Sequence, residues 1–289
     1  MPRTVTGPTQ REAVFIREGQ RFTPTELARG PWDPQALHGG APAALIVRAF
    51  ERHDPQPHLR FARFGFEFLR TLPFARLRIE TQTVRPGRRV QELAAELYAE
   101  LGGSTPGQAG EQLVCRASAL RVQAVPDDLP DLPEGALADE RMPEPAAARE
   151  MRFALNPEDD QPSFAATAME MRWLNDPWAP GPGRVWQRLR PALVDEELAS
   201  PLARLAASAD FGNGISASLP FDGFLFINAD LHLHIHREPR GEWVGLDGRT
   251  LLHAGGTGLA ETVLHDLDGP VGRGFQSLVV GARRRESAG

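Results

Sequence analysis

Lysine is absent from the 289 residues, and all 32 basic side chains are arginine. That removes Schiff-base catalysis and the lysine of a phosphate-binding P-loop. A single cysteine, Cys115, leaves no internal disulfide framework and no multi-cysteine zinc cluster, and it fits a reducing, cytoplasmic setting. No run reaches the ~18 apolar residues of a membrane-spanning helix. The opening Met1-Pro-Arg-Thr-Val-Thr-Gly-Pro8 has no apolar core of a secretory signal. Basic charge is not in excess: 38 acidic residues against 32 basic give a net charge of -6, which argues against a nucleic-acid partner. A nucleophile elbow, a complete G-x-G-x-x-G and an H-E-x-x-H are all missing. What is present is an ordinary globular composition, 41% hydrophobic and 24% charged. With 28 glycines and 26 prolines, it predicts many turns and short elements.

The sharpest compositional break runs from Ala124 to Pro162 and includes Pro126-Asp-Asp-Leu-Pro-Asp-Leu-Pro-Glu134. Without a sustained apolar period it reads as a connector, with a short helical turn over Ala146–Met151. The halves on either side share one order of elements. In the first, Ala43, Ala44, Ile46, Val47 and Phe50 give helical spacing after Gly39-Gly40. Strand-like runs follow at Phe64–Phe68, Leu77–Val84, Val90–Leu101 and Leu113–Val122. Glu92–Leu101 alone fits a helix, but the hairpin chemistry of Arg85-Pro-Gly-Arg88 favours a strand. In the second half, Ser200-Pro201 is a capped helix start, and Leu202, Leu205, Ala206 and Ala209 keep helical spacing up to Asp210. Runs at Leu225–His236, Trp243–Thr250, Gly258–Asp266 and Val271–Gly281 come next, and Phe68-Leu-Arg-Thr-Leu-Pro73 is echoed by Ile235-His-Arg-Glu-Pro239. A helix followed by four antiparallel strands, twice, predicts two copies of an α+β unit in which each sheet wraps its helix.

Chemistry-bearing residues are few. Asn228, Asp230, His232, His234 and His236 alternate with Leu231, Leu233 and Ile235, so a continuous strand puts all five on one face. Histidines so spaced can converge on a metal, and His232-x-His234-x3-Glu238-x6-Gly245 matches part of a cupin motif. Phe226 replaces that motif's leading glycine and no second motif supplies the remaining ligand, so a solvated or interface face is favoured over a metal-dependent enzyme. Asp210 closes a helix at the negative end of its dipole, a placement that favours a general base, against the plain reading of a surface residue. Gly39-Gly40 opens a helix whose N–H groups, around Gly40 and Ala41, can face a developing oxyanion. Gln276, within a strand-like run, either orients a water or is simply exposed. Cys115 and the five tryptophans read as packing.

In this order and spacing the motifs resemble the acyl-CoA thioesterase II family, and the repeat resembles a double hot-dog protein. His38-Gly-Gly40 and Phe68-Leu-Arg-Thr-Leu-Pro73 resemble that family's F-G-G and F-L-R-P signatures, the latter with two extra residues before the proline. Ser200-Pro-Leu with Ser208-Ala-Asp-Phe211 resembles the helix that ends at the family's catalytic aspartate. Asp230-x5-His236-Arg237 and Glu242-Trp243 are similar to its D-H-S-x-x-F-H-R-P and E-W strands. The resemblance implies an α+β double hot-dog fold, with units at residues 1–123 and 163–289 and a connector at 124–162. It implies hydrolysis of acyl-CoA to free fatty acid and CoA without metal or organic cofactor, no nucleic-acid partner, no membrane span, and assembly into a homo-oligomer. The family's water-holding Asp, Thr (or Ser) and Gln fall on Asp210, Asn228 and Gln276. Gly39, Gly40 and Ala41 are then expected at the oxyanion, and Arg88 and Arg89 at CoA. Asn228 stands where the family has a hydroxyl, and Leu231 where it has histidine. The first departure keeps open an alternative, a non-catalytic acyl-CoA or acyl-chain binding protein with a degraded site.

Overall fold

Alternating side chains turn most of the chain into strands. The computed structural model describes residues 12–102, 110–124, 141–154, 161–195 and 197–282. The first half holds β1 (Ala13–Glu18), β2 (Arg21–Pro24), helix α1 (Gly40–Arg52), β3 (Leu59–Phe68), β4 (Leu77–Arg85), β5 (Val90–Leu101) and β6 (Gly110–Gln123). The second holds β7 (Arg149–Glu150), β8 (Met169–Trp173), β9 (Gly183–Leu189), β10 (Ala192–Val194), helix α2 (Pro201–Ala209) and the short α3 (Gly212–Ile215). It ends with β11 (Phe224–Asn228), β12 (Asp230–Ile235), β13 (Val244–His253), β14 (Thr257–Asp266) and β15 (Gly269–Ala282). The ambiguous Glu92–Leu101 stretch is strand: Gln91, Leu93, Ala95, Leu97 and Ala99 are buried in strict alternation, a period of two that no helix face reproduces.

The strands form one sheet in the order β10-β1-β2-β4-β5-β6-β3-β12-β15-β14-β13-β9-β8-β7, with β11 also paired to β15. The order β4-β5-β6-β3 returns in reverse as β12-β15-β14-β13, so the sequence repeat reappears as a repeat of strand order. The halves join where β3 pairs antiparallel with β12, from Asp230 opposite Glu67 to His234 opposite Arg63. The architecture is therefore one large antiparallel sheet with few helices. Pairing is antiparallel throughout except between β1 and β10.

The two longer helices pack on each other as well as on the sheet. Their contact is tightest where α1 begins. A Cβ on Gly40 would sit 2.3 Å from the carbonyl oxygen of Ala207, so only glycine permits the approach. At the other end, Ser200 caps α2 by accepting from Ala203 N–H at 3.0 Å, and its hydroxyl donates to Glu51 Oε2 at 2.7 Å. Burial pushes the Glu51 carboxyl above its ordinary range, and the Ser200 hydrogen bond pulls it back in part. Gly40→Ala is expected to lower stability by ~1–3 kcal/mol, the usual cost of overpacking. The drop should appear as a lower urea midpoint with an unchanged m-value.

Within the segment read as a connector, residues 141–154 pack on the second half. The strand β7 pairs with β8, Pro143 accepts from the Trp186 indole at 2.7 Å, and Phe153 is buried against Trp173 and Trp178. Polar composition there hides two apolar anchors, Met142 and Phe153. The expected turn over Ala146–Met151 is a short 3-10 turn at Pro145–Ala147 followed by β7. Residues 125–140 and 155–160 of the same segment lie outside the described residues.

Candidate functional site

Asp210 follows α2 directly and is its C-cap. Its carboxylate is buried at 6% exposure, yet it borders a cavity of about 610 Å³ between the two halves. The cavity wall is largely apolar, with Trp32, Leu37, Phe68, Phe153, Phe211 and Phe221 on it, and Ile227 and Val279 exposed beside it. Polar groups reach it at few points, chiefly His38, Asp210, Asn213 and Asn228. A mostly apolar pocket with a few convergent polar groups is the usual form of a small-molecule site.

Asn228 reaches Asp210 because of a bulge. Strand β11 pairs Asn228 with Leu278, whereas β12 pairs His232 with Phe275, so the register advances by one residue across Ala229. A one-residue shift exchanges the faces of a strand. Phe226 and Asn228 therefore turn inward, as do Leu231, Leu233 and Ile235 beyond the bulge. The Asn228 amide donates to Asp210 Oδ1 at 2.9 Å and to the Asp230 carbonyl at 3.1 Å. Asp230 lies on the opposite face, where its carboxylate accepts from Ser277 N–H at 2.6 Å and from the Ser277 hydroxyl at 3.0 Å. The expectation that Asn228 shares a face with Asp230 and the histidines is thus corrected. His234 and His236 are exposed and His232 is half-buried, all on the outer face. No three-residue grouping suited to a metal occurs among the described residues.

Gln276 is close to Asp210 but faces its backbone. Its amide donates to the Asp210 carbonyl at 3.2 Å and accepts from Asn213 N–H at 2.9 Å. It is 1% exposed and does not border the cavity, and its two hydrogen bonds fix the α2–α3 turn. Gly212 makes room for it: a Cβ there would lie 2.7 Å from Gln276 Oε1.

Of the Gly39-Gly40 pair, Gly39 borders the cavity. A Cβ on Gly39 would fall 2.8 Å from Asp210 Oδ2, so Gly39 lets the carboxylate settle against the start of α1. Gly40 and Ala41 are buried and do not border the cavity. Gly40 N–H points at His38 Nδ1 at 3.1 Å, and Ala41 N–H donates to the His38 carbonyl at 3.1 Å. Both N–H groups thus have partners within the start of the helix. His38 itself does border it, with Nδ1 3.0 Å from Asp210 Oδ2 and its ring stacked on Phe211 at 4.2 Å. Sequence reading used His38 only as a motif position. Its placement depends on the packing of α1 on α2, which no local pattern reports.

Arg88 and Arg89 are not brought to the cavity. The Arg88 carbonyl pairs with His58 and the Arg89 carbonyl with Gln123 N–H, at the Leu59 end of β3. The cavity lies at the Phe68 end, about 30 Å away over the strand's 10 residues. The exposed arginine beside the cavity is Arg70, whose guanidinium donates to Gln112. Cys115 is a free, buried core thiol that desolvation pushes up to about 12. Among the described residues no helix is long and apolar enough to cross a membrane.

Comparison with known proteins gives this geometry a family. No curated protein sequence matches the chain significantly. Among solved structures, similarity extends to a candidate thioesterase II of Thermobifida fusca YX, at 18% identity and TM-score 0.68 over 92% of this chain and 95% of that one. It extends also to a conserved hot-dog protein of unknown function from Alicyclobacillus acidocaldarius, at 15% identity and TM-score 0.66 over 94% and 96%. The acyl-CoA thioesterase II TesB2 of Mycobacterium marinum matches at 15% identity and TM-score 0.59 over 89% and 97%. At these identities the structures establish a hot-dog fold. The family comes from sequence: the acyl-CoA thioesterase N-terminal domain matches residues 28–122, and the C-terminal domain of the same enzymes matches residues 127–280. The C-terminal match starts within the expected connector, in keeping with the packing of residues 141–154. With one domain matched on each side of the cavity, the chain belongs to the acyl-CoA thioesterase family and is a thioesterase.

Proposed function

We propose that the chain hydrolyses an acyl-CoA thioester to a free fatty acid and CoA, with water activated at Asp210. The observation that carries this reading is the Asp210 carboxylate, buried and fixed by Asn228 and His38 but open to an apolar cavity. The apolar wall suits an acyl chain, and about 610 Å³ falls within the ~300–1,000 Å³ usual for ligand pockets. A buried anion beside the thioester carbonyl raises the nucleophilicity of a bound water by drawing on its proton. The new C–O bond forms as the carbonyl π pair moves to oxygen; the C–S bond then breaks, and sulfur leaves with the pair and is protonated. Asn228 orients the carboxylate, and Gln276 holds the Asp210 peptide from behind. The repeated strand order, with α1 and α2 each leading into its own set of strands, supports two hot-dog units fused in one chain.

Release of free thiol, measured over saturated acyl-CoAs from short to long chain, tests the reading. A maximum at one range of chain lengths is expected. Tight binding of acyl-CoA with no thiol release would instead support a binding protein with a degraded site.

CoA carries several negative charges and the chain is net acidic, so recognition needs local arginine. Arg70 stands where the CoA moiety leaves the cavity. Arg70→Glu should raise KM by about tenfold with kcat unchanged, the signature of lost uniform binding. Arg88→Glu with Arg89→Glu should leave KM as it was. The reverse pattern would move the CoA path to the other end of the sheet.

A further inference from the structure

We propose that Phe221 and Trp32 form the end wall of the acyl site and set the longest acyl chain that is cleaved. The inference rests on the reading that the cavity beside Asp210 hydrolyses acyl-CoA, and it adds what selects among acyl groups. A second cavity of about 650 Å³ lies against the first, with Arg29, Arg152, Ser163 and Asp222 on its wall. Five residues border both spaces: Pro31, Trp32, Phe153, Ala165 and Phe221. None of the five lies in a strand, so what divides the two cavities is side chains and not the sheet.

Phe221 is where the rings of this wall meet. Its centroid lies 5.9 Å from that of Trp32, 6.1 Å from Phe153 and 5.0 Å from Phe226. Trp32 also meets Phe226 edge-on at 5.7 Å. Aromatic pairs at such separations are in contact, so the rings stand as one partition. The partition is carried on loops. Phe221 sits in the turn before β11, where Gly223 and Phe224 N–H donate to the Pro220 carbonyl at 3.3 and 3.2 Å. Trp32 sits in the loop before α1, which closes where Gly30 N–H donates to the Ala36 carbonyl at 2.8 Å. Both rings are half-buried, whereas Phe153 and Ala165 belong to the core. Trimming Phe221 or Trp32 therefore breaches the partition while leaving the sheet and its core in place.

A thioester whose carbonyl carbon lies at Asp210 sends its two arms in different directions. Toward β11 and β15 the cavity is open, since Ile227 and Val279 are exposed there. Arg70 joins that side, two residues past the hydrogen bond from Phe68 N–H to the Ala229 carbonyl. The charged CoA arm leaves by this side, because burying its anions behind aromatic rings would cost far more. The acyl arm takes the closed side, where Phe153 and Ala165 are buried. Each further methylene gains from burial until the chain end meets Phe221 and Trp32. The next one has to displace packed rings or fold back, and both are unfavourable. The partition thus turns a gradual gain with length into a cutoff.

The test records kcat/KM over saturated acyl-CoAs of increasing length for wild type, Phe221→Ala, Trp32→Ala and Trp178→Ala, with melting temperatures to identify the folded variants. Trp178 stacks on Phe153 at 5.5 Å but borders neither cavity, so its removal loosens the same cluster without breaching the partition. Wild type should fall off sharply beyond one length. In folded Phe221→Ala and Trp32→Ala, kcat/KM for the first lengths beyond that cutoff, relative to the wild-type optimum, should rise about tenfold, the scale on which an apolar pocket discriminates one methylene. Phe221→Leu keeps an apolar group at the turn; it should shift the profile the same way by less, and it replaces the alanine variant if that one does not fold. Trp178→Ala should keep the wild-type profile. An unchanged profile in a folded variant at Phe221 or Trp32, or the same shift in Trp178→Ala, overturns the assignment and leaves the thioesterase reading standing. So does an equal loss at every length, since the rings would then face the CoA arm. A wild-type protein that binds acyl-CoA but releases no thiol overturns the hydrolytic reading, and the partition is then judged by the same shift in the length dependence of Kd.

Discussion

Asp210→Asn should reduce kcat for thioester hydrolysis by about 10³-fold, within the ~10²–10⁴ that acid–base machinery contributes, while melting within a few degrees of wild type. The substitution is nearly isosteric, and the surroundings suit an amide. Gly39 leaves the space for either group. Asn228 still finds a carbonyl oxygen to donate to. What disappears is the anion. Water then loses the charge that draws on its proton. On the proposed reading the residue lies beside the reacting atoms and away from the CoA moiety, so KM should change little. A folded Asp210→Asn variant that keeps the wild-type kcat would mean that another group supplies the base. Loss of activity together with collapse of the melting transition would point to a structural role for the helix end.

Much of the architecture was legible because alternation is a strong signal wherever one face of a strand is wet. The runs in β3 to β6 and β12 to β15 have that pattern. The strands β8 and β9 do not: Met169, Glu170, Met171 and Trp173, then Val185, Trp186, Gln187 and Leu189, are buried on both faces. A strand covered on both sides loses its period of two, which is why Met169–Trp173 and Gly183–Leu189 escaped sequence reading. The site divides along a similar line. Asp210 was visible because helix spacing ends at it. Asn228 was joined to it only by the family resemblance, and the strand face expected for it does not hold. A continuous strand would put Asn228 with Asp230 and the histidines, and only the bulge at Ala229 separates them. Nothing in Asn228-Ala-Asp230 announces that bulge. The glycines were visible too, but glycine marks a close approach without naming what approaches, and here the neighbours are α2 and the Asp210 carboxylate that follows it. His38 faces Asp210 across more than 170 residues of chain, a contact that only the assembled helices create.

The second large effect is expected at Asn228. Its amide nitrogen already donates twice, to Asp210 Oδ1 and to the Asp230 carbonyl. The first bond orients the carboxylate; the second ties the side chain to the backbone just past the bulge and helps to hold the inward turn. Asn228→Ala removes both. The carboxylate is then free to rotate away from the geometry that the attacking water requires, and turnover should fall by about 100-fold, on the scale of losing one preorganised donor at a reacting centre. KM should stay near wild type, because the acyl wall and the CoA path are untouched. Asn228→Thr is the sharper experiment. A threonine hydroxyl is a single donor and cannot serve Asp210 and Asp230 at once. Facing an anion on one side and a neutral carbonyl on the other, it should choose the carboxylate, since the charged acceptor makes the stronger bond. The bulge loses its tie, yet Phe68 N–H still donates to the Ala229 carbonyl and Ala229 N–H to Ser277, so the inward turn is kept. Asn228→Thr should therefore retain activity within about tenfold of wild type, well above Asn228→Ala. Equal activity in wild type, Asn228→Ala and Asn228→Thr would show that the carboxylate needs no partner at Oδ1, and would remove Asn228 from the machinery. A threonine variant as slow as alanine would show that the tie to Asp230, and with it the bulge, is the part of Asn228 that catalysis requires.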